Sequence, residues 1–193
     1  MLKRLYDWVL HWAETPYGTW ALFFLAFAES SFFPIPPDVL LIALAISIPK
    51  KSFKYALVCS IGSVLGGAFG YLIGLEFMEL IGQPIIDFYG VNDKYNYIKE
   101  LYNKYDAWAI AVAGFTPIPY KVFTIAAGAC KIKFSTFFLA SIISRSARFF
   151  IIGGLIHAFG PSIKSFIDRY FNILAIVFMA LLILGFLAIK WVF

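Results

Sequence analysis

Phe32-Phe33-Pro34-Ile35-Pro36-Pro37-Asp38 and Phe115-Thr116-Pro117-Ile118-Pro119-Tyr120-Lys121 share one pattern and differ in the sign of the closing charge. Pro117 follows Pro34 by 83 residues, Pro119 follows Pro36 by 83, and Lys121 follows Asp38 by 83. Without a gap, the same offset sets Lys50 on Lys133, Ser52 on Ser135, Ser63 on Ser146 and Gly70 on Gly153, so the chain reads as an internal duplication. Prolines two residues apart remove amide donors and clash with the preceding turn, which breaks a helix at both places. In lipid, broken backbone is tolerated only against protein or a wet cavity, and that makes the duplicated break the place to look for a site.

The surroundings are those of a membrane protein. Of 193 residues, 62% are hydrophobic, 20% aromatic and only 14% charged, with a mean hydropathy of +0.83, the composition of a polytopic chain rather than a soluble domain. The net charge of +5 is spread thinly among apolar segments, which fits anionic headgroups and argues against nucleic acid. Cys59 and Cys130 have neither disulfide-framework nor metal-ligand spacing, and no metal or cofactor is expected. With no nucleophile beside a base and no soluble-type phosphate loop, an enzyme is not expected either.

Thr19 to Ile48 is 30 residues, too long for one crossing of about 20 and too short for two, and with Pro34, Pro36 and Pro37 near its middle it reads as a re-entrant hairpin. Tyr55 to Leu80 can then span. Gln83 to Asp106, with five tyrosines among acids and lysines, reads as an interfacial linker, partly helical. Ala107 to Cys130 fits a shorter hairpin around Pro117 and Pro119 or one kinked span; Lys121 beside a double break favours the hairpin. Phe134 to Phe159 is a second span. Leu2, Leu5, Val9 and Trp12 give residues 1–17 the helical spacing of an interfacial helix, and an uncleaved one, since no signal-peptide pattern follows.

A hairpin plus one crossing moves the chain to the opposite face, so the second unit starts where the first did not. The expected fold is therefore an all-α polytopic membrane protein of one domain, 1–193, built from two inverted repeats (19–80 and 107–160). Each repeat is a Pro-broken re-entrant hairpin followed by a transmembrane helix. An N-terminal interfacial helix (1–17), an interfacial linker (83–106) and a C-terminal transmembrane helix (170–193) complete it. Basic residues divide seven to six between the faces, a split that leaves orientation open, as the sequence leaves homo-oligomerisation.

Five ionisable residues fall inside these segments: Glu29, Asp38, Lys121, Arg145 and Arg148. Each costs about 2.5–3.5 kcal/mol at the bilayer centre on insertion scales, so each needs a partner or water. The arginines could simply neutralise the acids, but three cations against two acids leave +1, which beside two half-helix N-termini describes an anion site. Arginine stays protonated in proteins, whereas a carboxyl that loses and regains its cation exchanges a proton. Arg145, Arg148 and Lys121 are thus the candidate substrate-binding residues, Glu29 and Asp38 the candidate proton-coupling or gating residues, and Pro34, Pro36, Pro37, Pro117 and Pro119 the hairpin tips. Gly62, Gly66, Gly70 and Gly74 make a smooth stripe for close helix packing, one that the repeat alignment, with Gly62 on Arg145, also allows to face the charged helix.

Taken together, Glu29 ahead of Pro34-Ile-Pro36-Pro37-Asp38, the run Gly114-Phe115-Thr116-Pro117-Ile-Pro119-Tyr-Lys121 followed by Gly128, and the Arg145/Arg148 helix resemble the DedA family, related to the SNARE-associated Golgi (VTT) membrane proteins. The resemblance covers residues 19 to 160. It implies two opposed re-entrant hairpins and movement of phospholipid or polyprenyl-phosphate carriers between leaflets, for some bacterial members dependent on proton-motive force. It also implies an integral protein of the bacterial cytoplasmic (inner) membrane. Two positions depart from the family pattern: Gly114 runs directly into Phe115 where many members insert arginine, and Lys121 stands where many have arginine. The leading expectation is a lipid translocase (flippase or scramblase) whose partners are phosphate-headgroup lipids and protons. The alternatives are a proton-coupled carrier of a small soluble anion and a non-transporting membrane scaffold.

Overall fold

The computed structural model describes residues 17–33, 35–90, 92–116 and 119–160, and every described regular element is helical. The expected interfacial helix at 1–17 (all but its last residue), the expected C-terminal helix at 170–193, Pro34 and Pro117 lie outside the described residues.

Helix α1, Tyr17–Ser31, ends where the chain approaches the first proline cluster, and the amides of Phe32 and Phe33 both turn back onto the Ala28 carbonyl at 2.8 and 2.7 Å. Helix α2, Asp38–Ser47, starts directly after Pro36 and Pro37, whose fixed φ suits a helix entrance, with Asp38 in its first turn. A 3₁₀ turn, Pro49–Lys51, leads into α3, Ser52–Phe77, which passes through a π-helical turn, Met78–Gly82, into α4, Gln83–Tyr89. The resulting 41-residue helical run stops at Gly90, whose φ of +65° is the left-handed conformation open to glycine.

The expected interfacial linker is divided at Gly90: Gln83–Tyr89 is α4, and helix α5, Asn92–Phe115, carries the rest of the linker without interruption up to the second break. It ends at Thr116, which bonds the Val112 carbonyl with both its amide (2.9 Å) and its hydroxyl (2.7 Å). After extended Pro119 the chain enters α6, Tyr120–Ala129. A Schellman-type end, with Lys131 left-handed at φ +54° and Ile132 donating to Ala127 at 3.0 Å, turns it into α7, Phe134–Gly160. The runs 49–89 and 134–160 are long and apolar enough to cross a membrane.

The two long helices lie antiparallel. Ala56 of α3 meets Gly153 of α7, Ser63 meets Arg145, and Tyr71 packs on Phe137, so one helix ascends in number as the other descends. Each half of this pair anchors a core. Leu22, Leu41, Leu44, Tyr55, Cys59, Phe149 and Ile156 pack at one end; Tyr71, Ile110, Ala113, Tyr120, Ala127 and Phe137 pack at the other.

Backbone carbonyls 83 residues apart are each met by a side chain from the other half of the chain. The Phe33 carbonyl accepts from Lys121, while Thr116, the counterpart of Phe33, is tied through Arg148 to Asp38, the counterpart of Lys121. The carbonyls of Pro49 and Ile132, again 83 apart, each accept from the opposite long helix, from His157 at 3.0 Å and from Tyr71 at 2.6 Å.

The glycine stripe serves close packing, on α1 and α6 rather than on the charged helix. A Cβ at Gly62 would lie 2.5 Å from the Phe23 carbonyl oxygen, and at Gly66 it would overlap that of Phe27. At Gly74 it would overlap the Ile125 carbonyl, and a Cβ at Gly128 on α6 would reciprocally overlap that of Tyr71. Rigid backbone cannot yield as a side chain can, so Gly74→Ala and Gly128→Ala are each expected to destabilise by about 1–3 kcal/mol. Gly154→Ala, whose Cβ would meet only a Phe53 ring atom at 3.9 Å, is expected to be neutral in thermal melts in detergent. Equal melting of all three variants would contradict this packing.

Candidate functional site

Where the two helix breaks meet the crossing of α3 and α7, all five ionisable residues singled out from the sequence come together. Arg145 projects from the middle of α7 into the α1–α3 interface. Its Nη2 donates to Glu29 Oε2 at 2.9 Å, its Nε to the Ser63 hydroxyl, and Ser63 and Ser30 share a hydrogen bond of 2.7 Å. Ser30 also reaches Glu29 at 3.2 Å, closing a ring of four side chains. The guanidinium lies 4.8 Å from the centroids of both Tyr120 and Phe149, which stack against it from α6 and α7. With its side chain 3% exposed, Arg145 is filled on every side.

Arg148, one turn further on, is held as a fork. Nε and Nη2 donate to the two oxygens of Asp38 at 3.1 and 2.9 Å, and Nη1 donates to the Thr116 carbonyl freed by the second break. This is the planar, bidentate geometry that guanidinium provides and ammonium does not. One residue thereby joins the start of α2, the end of α5 and the long helix α7.

Lys121 differs from both arginines. It stands in the first turn of α6, half-buried, and its Nζ donates to the Phe33 carbonyl at 3.1 Å. Among the described residues no carboxylate lies within ion-pair distance of it. Both arginines are therefore neutralised, as a purely structural role requires, and the unit of positive charge left over in the sequence count resides on Lys121. Phe32, Ile35 and Phe115 are exposed around the breaks, so this charge has an apolar neighbourhood.

Pro36, Pro37 and Pro119 lie directly before the helices that follow the two breaks. Partners not singled out from the sequence are the Ser30 and Ser63 hydroxyls, the Tyr120 and Phe149 rings, and the Phe33 and Thr116 carbonyls. Ser63 carried one signal: it adjoins Gly62, the residue that the offset aligns with Arg145. Away from this cluster, Lys131 pairs with Glu79 at 2.7 Å, and that hydrogen bond raises the lysine's pKa. No group of histidine, cysteine or acidic side chains among the described residues has a metal-binding arrangement.

The VTT domain model matches residues 35–158 of the chain. An uncharacterized protein of Haemophilus influenzae is 36% identical over 151 residues, 78% of each chain. One from Histophilus somni is 36% identical over 148 residues, 77% of each. The Golgi apparatus membrane protein TVP38 of Eremothecium gossypii is 28% identical over 171 residues, 86% of this chain and 53% of that one. No solved structure matches.

Removing one partner of a buried pair strands the other charge, at a cost of about 3–5 kcal/mol, whereas removing both leaves nothing uncompensated. Glu29→Gln is therefore expected to lower stability by that order, and Glu29→Gln with Arg145→Met to recover most of it. Lys121→Gln, which breaks one half-exposed hydrogen bond, is expected to cost less than about 1.5 kcal/mol. Denaturation of purified protein in detergent measures all three; a double variant no better than Glu29→Gln alone would show that the pair does not act as a unit.

Proposed function

We propose that this chain, which belongs to the VTT-domain (DedA) family, moves phosphate-bearing lipid between the leaflets of a bacterial inner membrane. The observation that carries this reading is Lys121, a cation with no counter-charge among the described residues, at the meeting of two helix breaks and flanked by exposed apolar side chains. An anionic headgroup with acyl chains matches both features. A free anion matches only the charge, and a scaffold accounts for the two closed arginine pairs but not for Lys121.

Element lengths support the re-entrant arrangement. Helices α2 and α6 have ten residues each, about 15 Å at 1.5 Å per residue, half of a hydrocarbon core of about 30 Å. Their breaks would then lie near mid-membrane, and the antiparallel α3 and α7 are the long helices of oppositely oriented repeats. Lys50 and Lys133, equivalent under the offset and both exposed, test this better than the buried Ser52. In a Cys59→Ala, Cys130→Ala background, cysteines introduced at positions 50 and 133 are expected to react with an impermeant reagent from opposite sides. Reaction from the same side would rule out the inverted repeat.

In the proposed cycle the headgroup takes the place of the Phe33 carbonyl on Lys121, and separation of the hairpins loosens Asp38 from Arg148. A carboxyl that loses its cation in a dry site gains a proton, which would couple the movement to a proton gradient. In liposomes carrying fluorescent phospholipid, wild-type protein is expected to speed leaflet exchange and to respond to an imposed pH gradient. Lys121→Gln should lower exchange about tenfold or more, the loss of one charged hydrogen bond of about 1.5–3 kcal/mol. Glu29→Gln and Asp38→Asn should lose the response to the gradient while keeping some downhill exchange. Wild-type rates indifferent to the gradient would make this a passive scramblase and remove the proton role of the two acids.

A further inference from the structure

In the proposed cycle, opening at Lys121 reaches Asp38 through Arg148, which holds that carboxylate and the Thr116 carbonyl together. The bonds of Glu29 run instead to Arg145 and Ser30, and the residue before Lys121 connects them to the cation site. Tyr120 and Lys121 open α6 and diverge: Lys121 reaches out to the Phe33 carbonyl, while Tyr120 is fully buried. The Tyr120 hydroxyl donates to Ser141 of α7, and its ring lies 4.8 Å from the Arg145 guanidinium. Gly67 of α3 makes room for it, since a Cβ there would sit 3.2 Å from both the ring edge and the hydroxyl. Of the two rings against the guanidinium, Phe149 belongs to the same helix and travels with Arg145, whereas Tyr120 travels with Lys121.

One turn along α6, buried Thr124 shares its hydroxyl proton between the Ser30 carbonyl at 3.2 Å and the Lys121 carbonyl at 3.0 Å, and Ser30 bonds Glu29. Helix α6 thus grips the four-residue ring on its arginine side and on its Glu29–Ser30 side. The 83-residue offset sets Tyr120 on Pro37 and Thr124 on Leu41, side chains without polar atoms, so these positions of the first unit offer no such grip.

We infer that Tyr120 is a positioning residue that ties the cation site at Lys121 to the Glu29–Arg145 pair, an inference that rests on the lipid-translocase reading and supplies its step at Glu29. Consecutive residues on one helical turn move together, so a shift of α6 that takes Lys121 from Phe33 also takes the Tyr120 ring from Arg145. A buried cation that loses an aromatic face is less well compensated, and the packing that keeps the guanidinium in register with Glu29 opens.

The test uses the full-length protein in liposomes with fluorescent phosphatidylglycerol, and reads the ratio of leaflet exchange with an imposed pH gradient to exchange without one. In Tyr120→Leu the two rates are expected to become equal, while Tyr120→Phe, which keeps the ring, keeps the wild-type ratio. A variant that merely folded less well would lower both rates together and leave the ratio in place. Tyr120→Met replaces the leucine variant if that one does not fold. A wild-type ratio in a folded variant lacking the ring would overturn the inference and leave lipid transport intact. Wild-type protein without exchange, or without a response to the gradient, would refute the reading beneath it, and melting in detergent then decides the inference by itself. The drop in melting temperature caused by Lys121→Gln is expected to be larger in wild type than in Glu29→Gln/Arg145→Met or in Tyr120→Leu, because structural neighbours that share a partner are not additive. An equal drop in all three backgrounds would show no tie. A drop reduced by removal of the pair but not by Tyr120→Leu would place the tie in the end of α1, where Phe33 follows Glu29 by four residues, and would overturn the role of Tyr120.

Discussion

Charge neutrality inside an apolar interior is the constraint on which the rest of this molecule depends. A guanidinium at the middle of α7 has no route to water, so the fold must bring a carboxylate to it, and it brings two, one for each arginine. Glu29 comes from the end of α1 and Asp38 from the start of α2, the two limbs flanking the first break. Because the arginines are one turn apart, both limbs must lie against the same stretch of α7. The ion pairs thereby fix the positions of α1 and α2 on the second long helix. The glycines of α3 make the complementary adjustment, letting α1 and α6 approach until carbonyl oxygens occupy the space a Cβ would fill.

Broken backbone supplies the other half of the design. A helix stopped in mid-course leaves carbonyls without intrahelical partners, and burial makes them costly unless a donor reaches them. Here the donors are charged side chains of the opposite unit, Lys121 for Phe33 and Arg148 for Thr116. The same contacts that satisfy the breaks also latch the two broken segments to each other. The latches are unequal: one is a single half-exposed ammonium bond, the other a bidentate ion pair carrying a carbonyl. The molecule thus has one weak and one strong seam, and the weak one holds the surplus charge.

Legibility in the sequence followed the strength of the local physical signal. The proline clusters, the 83-residue offset and the long apolar runs announced the helix breaks and both candidate spans, because proline chemistry and hydropathy act over a few residues. The five charges stood out because their cost in an apolar segment does not depend on the fold. The unbroken passage of α5 from the polar part of the linker to the second break was less visible. Its composition changes at residue 107, but helix continuity follows backbone hydrogen bonding, which a change of side-chain polarity does not interrupt.

By itself the sequence determined the family, the helical class, the duplicated break and the surplus of one positive charge, since each is written in residue identity and spacing. Only the tertiary structure decided which cation carries that surplus. Pairing depends on which helices touch, and the antiparallel crossing of α3 and α7 puts Glu29 within reach of Arg145 and Asp38 within reach of Arg148. Lys121 meets a backbone carbonyl, while Asp38, its equivalent under the 83-residue offset, is held by an arginine whose fork matches a carboxylate.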